Sequence, residues 1–129
     1  MRKALLLGLS LPLMLTGCAT WGPTWSEITG ERWNMTIVNR RPAIIEQIDG
    51  RSAFPTYPIR IEPGSRQLVL SAPAPGWSGG SQLRTMTLEA KPCERYYVNA
   101  QFDNPLEPGF APIVDYVERI SGCTIVAKS

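Results

Sequence analysis

The sequence contains no histidine in its 129 residues. This absence removes the usual general base, the serine and cysteine triads that depend on histidine, and the most common metal ligand. Lysine is also scarce beyond position 3, since only Lys91 and Lys128 occur and neither lies in a Ser-x-x-Lys motif. The composition therefore favours a non-catalytic protein, and we expect no cofactor.

The chain also lacks an apolar run long enough to span a membrane, which takes ~20 residues. Its longest run, Ala4 to Leu15, follows the basic residues Arg2 and Lys3 and ends in Leu15-Thr16-Gly17-Cys18. This arrangement resembles the lipobox of bacterial lipoproteins, and it predicts a signal peptide over residues 1–17 and a lipid-modified Cys18. The alternatives are cleavage by the ordinary signal peptidase or an uncleaved anchor.

Ala19 directly follows the lipobox cysteine. The resemblance to bacterial lipoproteins implies that an aspartate at this position retains many of them in the inner membrane. We therefore expect this chain to be lipid-anchored in the bacterial outer membrane and to face the periplasm.

The mature chain carries no net charge. The sequence has 13 Lys+Arg and 11 Asp+Glu, but Arg2 and Lys3 leave with the signal peptide, so 11 basic and 11 acidic residues remain. Without a net positive field, nucleic acid is not an expected partner.

Two cysteines remain after Cys18, namely Cys93 and Cys123. In an oxidising compartment such a pair predicts a disulfide. Two free thiols or a metal pair are the alternatives, but the chain has no histidine and no further cysteine to complete a zinc site. We therefore expect no metal.

Short runs of alternating apolar residues, broken by 12 prolines and by glycines, fill the chain from Trp33 onward. They predict an all-β fold, a small antiparallel β-sandwich over residues 33–129, joined to Cys18 by a tether over residues 18–32. The predicted strands and turns are residues 33–38, residues 43–48 before an Asp49-Gly50 turn, a hairpin over residues 60–68 with a Pro63-Gly64 turn, residues 82–90, residues 96–102 and residues 124–127. Residues 113–120 fit a strand or a helix, and the surrounding pattern favours the strand.

The sandwich resembles small PEGA-like or DUF2846-like domains of bacterial lipoproteins over residues 33–102. The resemblance is carried by Ile48-Asp49-Gly50, by the segment from Ile61 to Leu70 with its Pro-Gly turn, and by Glu94-Arg95-Tyr96-Tyr97-Val98. Arg66 departs from the pattern, which commonly has histidine there. The resemblance implies a β-sandwich and supplies no catalytic residues.

Two loops offer aromatic side chains for binding. Trp77 lies in a proline- and glycine-rich segment, residues 72–80, and either binds a partner or packs as a lid on the sandwich; Phe110 lies in a similar segment, residues 104–112. Trp21 and Trp25, in the tether, either lie at the level of the lipid headgroups or pack on the domain.

One acidic pair of the sequence is a candidate for catalysis. Asp115 and Glu118 have the residue types of a glycosidase pair, but on a strand they are expected to point to opposite faces. The sequence thus predicts a non-catalytic envelope lipoprotein that acts as an interaction or accessory module, with the membrane and an envelope protein as partners. A periplasmic glycan- or cell-wall-binding domain is the alternative, and a hydrolase is less favoured.

Overall fold

The computed structural model describes residues 22–53, 58–72 and 82–125, which form two β-sheets packed on each other. The predicted all-β fold and small β-sandwich are confirmed. The strands in these ranges are β1 (Ser26–Thr29), β2 (Arg40–Pro42), β3 (Ile44–Ile48), β4 (Arg51–Ser52), β5 (Ile59–Ile61), β6 (Gly64–Ser71), β7 (Leu83–Ala90), β8 (Glu94–Phe102) and β9 (Phe110–Arg119). Among the described residues there is no helix of the length and apolarity that crossing a membrane requires.

Sheet A is organised around β8. The antiparallel strand β9 pairs with one side of β8 along its length. The other side of β8 pairs first with β1, in parallel, and then with β2, in antiparallel orientation, while β5 pairs with the far side of β1. The chain therefore leaves the sheet between β1 and β2 and returns to the same side of β8.

Sheet B has the order β4-β3-β6-β7, with antiparallel neighbours. The predicted Asp49-Gly50 turn is confirmed, because it connects β3 to β4 with φ values of 49° and 79° at its two central residues. Positive φ at both positions is what a two-residue hairpin with the right-handed strand twist requires.

The core lies between the sheets and is built from alternate residues of the strands. The inward residues of β8 are Tyr96, Val98, Ala100 and Phe102, as the alternation in the sequence predicts. They pack with Ile28 of β1, Ile61 of β5, Leu68 and Leu70 of β6, and Leu88 of β7. The side chains that alternate with them on β8 therefore lie on the outer face of sheet A.

The predicted hairpin over residues 60–68 is wrong. β5 pairs with β1 in sheet A, and β6 pairs with β3 and β7 in sheet B. Pro63 and Gly64 therefore carry the chain from one sheet to the other, and Gly64 has a φ of 117°. Strand alternation around a Pro-Gly turn fits both arrangements, because a corner between sheets uses the same turn residues as a hairpin.

The tether is shorter than predicted. Residues Ser26–Thr29 form β1, are buried and lie between β8 and β5. Three of these four residues are polar, and all three have partners. Ser26 Oγ donates to the carbonyl of Lys91, Glu27 accepts from Arg95, and Thr29 Oγ1 accepts from the N–H of Glu31. These partners allow a polar sequence to form an interior strand.

The strand favoured over residues 113–120 is confirmed up to Arg119, as part of β9. Its ladder shifts register where Tyr97 faces Tyr116 and Val98 faces Val114, so Asp115 is the extra residue of a β-bulge. Thr124 and Ile125 are not in a strand, contrary to prediction, and residues 126–127 lie outside the described ranges.

The predicted disulfide between Cys93 and Cys123 is confirmed, with a Cα–Cα distance of 5.4 Å. Cys93 is fully buried, and its N–H donates to the carbonyl of Trp25 at 2.8 Å. The N–H of Thr124 donates to the carbonyl of Pro23 at 2.9 Å. The disulfide thus joins the β7–β8 connection to the segment after β9. Each of these two segments donates a backbone hydrogen bond to the start of the folded chain.

Candidate interaction surface

The loop between β1 and β2, residues 31–39, exposes several large apolar side chains, and we call it the contact loop. Trp33 is 63% exposed, Met35 87% and Val38 78%, and Ile37 is also exposed. These residues were predicted to form a strand, and that prediction is wrong, because none of residues 31–39 pairs in a sheet. A cluster of exposed apolar residues on one short segment is typical of a binding surface.

The contact loop is held on the outer face of sheet A by one carboxylate. Asp115 Oδ2 accepts from Arg32 Nε at 3.0 Å, and Asp115 Oδ1 accepts from Arg40 Nη1 at 2.8 Å and from Asn34 Nδ2 at 3.0 Å. The side chain of Asp115 is only 1% exposed. We call these four residues the Asp115 clasp. Its three donors come from the loop or from the first residue after it, so a single acceptor fixes both ends of the loop.

The bulge explains why Asp115 is available to the loop. In a regular strand, residues 115 and 116 would point to opposite faces. The extra residue of the bulge redirects the side chain, so that Asp115 binds Arg32 while the guanidinium of Arg32 also lies 4.2 Å from the ring centroid of Tyr116. Arg32 is therefore fixed by an ion pair and by an aromatic ring.

The neck of the contact loop is tightly packed. A Cβ placed on Gly30 would lie 1.7 Å from the carbonyl oxygen of Ala43, so only glycine fits there. At the other side of the neck, the N–H of Phe102 donates to the carbonyl of Asn39 at 2.9 Å. Asn39 has a φ of 60°, a value that asparagine adopts more readily than most residues. The loop is thus closed at its base.

The charge state of Asp115 suits its role. Burial raises the pKa of its carboxyl, but hydrogen bonds from Asn34, Arg40 and Arg32 outweigh burial and hold the pKa below its usual value of 3.8. The clasp is therefore ionised at neutral pH.

A second ionic group, the Arg95 cluster, lies beside the clasp on the same face. Arg95 Nη2 donates to Glu27 Oε2 at 3.0 Å, Arg95 Nη1 donates to Glu118, and Tyr97 Oη donates to Glu118 Oε1 at 2.6 Å. Glu27 is 7% exposed. Each carboxylate therefore has a cationic or hydroxyl partner, as buried charges require.

Asp115 and Glu118 do not point to opposite faces, because the bulge interrupts the alternation of the strand. Arg32 donates to Asp115, and its charge also acts on Glu118. Hydrogen bonds from Tyr97 and Arg95 lower the pKa of Glu118, and the pKa of Asp115 is lowered as well. A glycosidase acid needs a raised pKa at one of its two carboxyls. This pair therefore has the electrostatics of a structural ion-pair network.

Phe110, predicted to present its ring to a partner, is buried. It is 6% exposed, begins β9, and packs on Phe102 with a centroid distance of 5.6 Å. The correction follows from the β8–β9 hairpin, in which Phe110 faces Phe102 on the core side of the sheet. The ring contributes to the core and is not available to a ligand.

The other predicted candidates divide between the described and undescribed parts of the chain. Cys18, Trp21 and Trp77 lie outside the described residues. Trp25 packs on the domain, where the guanidinium of Arg60 lies 4.6 Å from its ring centroid. In the three described ranges, no group of three or more His, Cys, Asp or Glu residues is placed to hold a metal ion.

Sequence reasoning missed the exposure of Trp33, Met35 and Val38 because Trp33, Met35 and Ile37 alternate with the residues between them, as in a strand. The signals that contradict a strand are at the edges of the segment: Asn39 favours a left-handed turn, and Arg40-Arg41-Pro42 leaves room for only a short strand. Comparison of the chain with family models, curated proteins and solved structures finds no match.

Proposed function

We propose that this chain is a non-catalytic lipoprotein, anchored through Cys18 in the outer membrane, whose folded domain faces the periplasm and serves as an interaction module. The observation that supports a binding role most directly is the contact loop. Trp33, Met35 and Val38 are exposed on a segment whose base is fixed by the Asp115 clasp. Tryptophan and arginine, which occur together in and beside this loop, are enriched in binding hot spots.

A fixed loop binds more tightly than a mobile one with the same residues, because less conformational entropy is lost on association. The clasp holds the loop with three hydrogen bonds to a side chain that is 1% exposed. The energy of binding is therefore not spent on ordering the loop.

A glycan-binding role has less support. Sugar-binding surfaces present open aromatic faces, but Arg32 covers one face of Tyr116. In the described ranges Trp33 and Tyr116 are the aromatic residues among the exposed large apolar side chains.

Photocrosslinking in the intact envelope tests the binding role. A photoreactive amino acid is placed at position 35 of the full chain and, as a matched control, at position 83. Leu83 is 61% exposed, but it lies on the outer face of sheet B, on the opposite side of the sandwich. We expect specific crosslinks from position 35, reduced by Asp115→Asn, and none from position 83. Equal crosslinking from both positions, or none from position 35, would contradict the proposal.

The anchor is tested separately. Cys18→Ser in the full chain is expected to prevent incorporation of labelled fatty acid and to leave an uncleaved or mislocalised precursor. Normal processing and membrane association of this variant would show that Cys18 is not the lipidated residue.

A further inference from the structure

We infer that the contact loop docks on the bilayer to which the chain is anchored, with Trp33 and Met35 in the headgroup layer and the nearby arginines against anionic lipid phosphates. This inference rests on the proposed function, since it takes the lipid anchor at Cys18 as given and names the partner of the contact loop.

The segment that contains the contact loop has more basic than acidic residues. Residues 31–41 contain three arginines and one acidic residue, Glu31, within a mature chain that has 11 basic and 11 acidic residues. Asp115 neutralises one of the two charges of Arg32 and Arg40, so the clasp remains positive. Arg41 adds a further charge beside Trp33, 5.9 Å from its ring centroid. Juxtamembrane basic residues of this kind are attracted by anionic lipids.

The type and placement of the apolar residues also favour contact with a lipid layer. Tryptophan prefers the boundary between headgroups and acyl chains, where its ring is apolar and its N–H is polar. Met35 and Val38, which are 87% and 78% exposed, project from a loop at the surface. A projecting apolar tip surrounded by arginines is suited to enter a lipid layer.

The short chain between Cys18 and Pro23 limits how far the domain can lie from the bilayer. The first described residues are held at Pro23, whose carbonyl accepts from Thr124, and five peptide units separate Pro23 from Cys18. Such a chain spans at most about 18 Å, at ~3.6 Å per residue. The anchor therefore keeps the domain next to the bilayer. Both the contact loop and the Arg95 cluster belong to the outer face of sheet A, so the domain can lie with that face on the membrane.

Within the described ranges β9 pairs only with β8, so its other edge is an alternative surface. Its Val114, Tyr116 and Val117 are exposed. However, Pro112 lies within the strand and the bulge at Asp115 distorts its ladder. Proline and bulges are the features that prevent an edge from accepting a further strand. The edge of β9 is therefore poorly suited to accept a further strand, and the contact loop is the better candidate for a docking surface.

Fluorescence quenching tests the inference on the mature, lipidated full-length protein. The protein is reconstituted in vesicles of phosphatidylethanolamine and phosphatidylglycerol that contain lipids brominated near the headgroup. Because the chain has four tryptophans, the signal of Trp33 is taken as the difference between the protein and its Trp33→Phe variant. A matched reporter combines Trp33→Phe with Leu83→Trp, which places an indole at a similarly exposed site on the opposite sheet.

We expect brominated lipid to reduce the Trp33 signal about twofold, to leave the indole at position 83 unaffected, and to act more weakly when phosphatidylglycerol is omitted. An unquenched Trp33 signal, or equal quenching at position 83, would overturn the inference. If position 35 then crosslinks a protein in the envelope, the interaction module stands and its partner is a protein. If the purified chain carries no acyl group, both the anchor and the inference fail together.

Discussion

The two ends of β8 are held by different chemistry. Before Glu94, at one end, the Cys93–Cys123 disulfide joins two connections covalently, and these hold Pro23 and Trp25 at the start of the folded chain. Towards the other end, where Arg40 pairs with Gln101, the contact loop is fixed by the single carboxylate of Asp115, which lies beside the middle of β8. A covalent bond is indifferent to pH and salt, whereas an ion pair is not. The comparison separates the part of the molecule that maintains the fold from the part that presents a surface.

The largest expected effect is at the disulfide. Cys93→Ala, Cys123→Ala and the double variant should each lower the free energy of unfolding by about 3 to 4 kcal/mol, because the bond closes a loop with a sequence separation of 30. Chemical denaturation measures it. The double variant should be little worse than either single variant, since the same bond is lost in all three. Additive losses would show that the cysteines stabilise the fold independently.

Asp115→Asn should have a smaller effect on stability and a larger one on the contact loop. We expect a loss of about 1 to 2 kcal/mol, because Arg32 and Arg40 lose a charged acceptor but Arg32 is 41% exposed and is rehydrated. Limited proteolysis should then cleave within residues 31–39 while the sandwich stays intact. Asp103→Asn, at an exposed carboxylate of the β8–β9 loop, is the control. Unchanged protease resistance of the loop would show that the Asp115 clasp does not fix it.

Acid should weaken the ion pairs of Asp115 that hold the contact loop. The pKa of Asp115 in the folded protein lies below the usual 3.8, so its contribution is complete above that value and is lost as pH falls through the folded pKa. We expect the free energy of unfolding to decline below about pH 4, and less steeply in Asp115→Asn. Glu118 contributes in the same direction, because its pKa is also lowered. Parallel curves for the two proteins would exclude Asp115 as a source of the acid sensitivity.

The smallest stability effect is expected at Trp33. The side chain is 63% exposed and its ring centroid lies 5.9 Å from the guanidinium of Arg41, so Trp33→Ser should change the free energy of unfolding by less than about 0.5 kcal/mol. Thermal denaturation beside the vesicle measurement checks this. A large destabilisation would mean that the ring packs on the domain and that its exposure has no binding role.

Local patterns in the sequence predicted those parts of the fold that depend on local rules. The alternation of β8, the turn at Asp49 and Gly50, and the cysteine pair all follow from residue type and spacing. The lipid anchor and the envelope location remain predictions, because Cys18 lies outside the described residues.

What sequence alone could not provide were the choices made by tertiary contacts. β1 is an interior strand because Glu27 finds Arg95 across the sheet, and that partner is 68 positions away. The bulge at Asp115 disturbs the two-residue period of β9, which is why residues 113–120 also fit a helical stripe. The sequence predicts a strand over the contact loop because alternating apolar residues look the same whether one side is buried or neither is.

Gly30 sets a limit on how related sequences can diverge. Because a side chain at this position would collide with the backbone of Ala43, no other residue can replace Gly30 unless the backbone at the neck of the contact loop shifts. The exposed residues beyond the neck, by contrast, can be exchanged without disturbing the sandwich. Homologues adapted to different envelopes are therefore expected to retain the glycine and the carboxylate of Asp115 while Trp33, Met35 and Val38 vary, so that surface specificity evolves without a matching change in the fold.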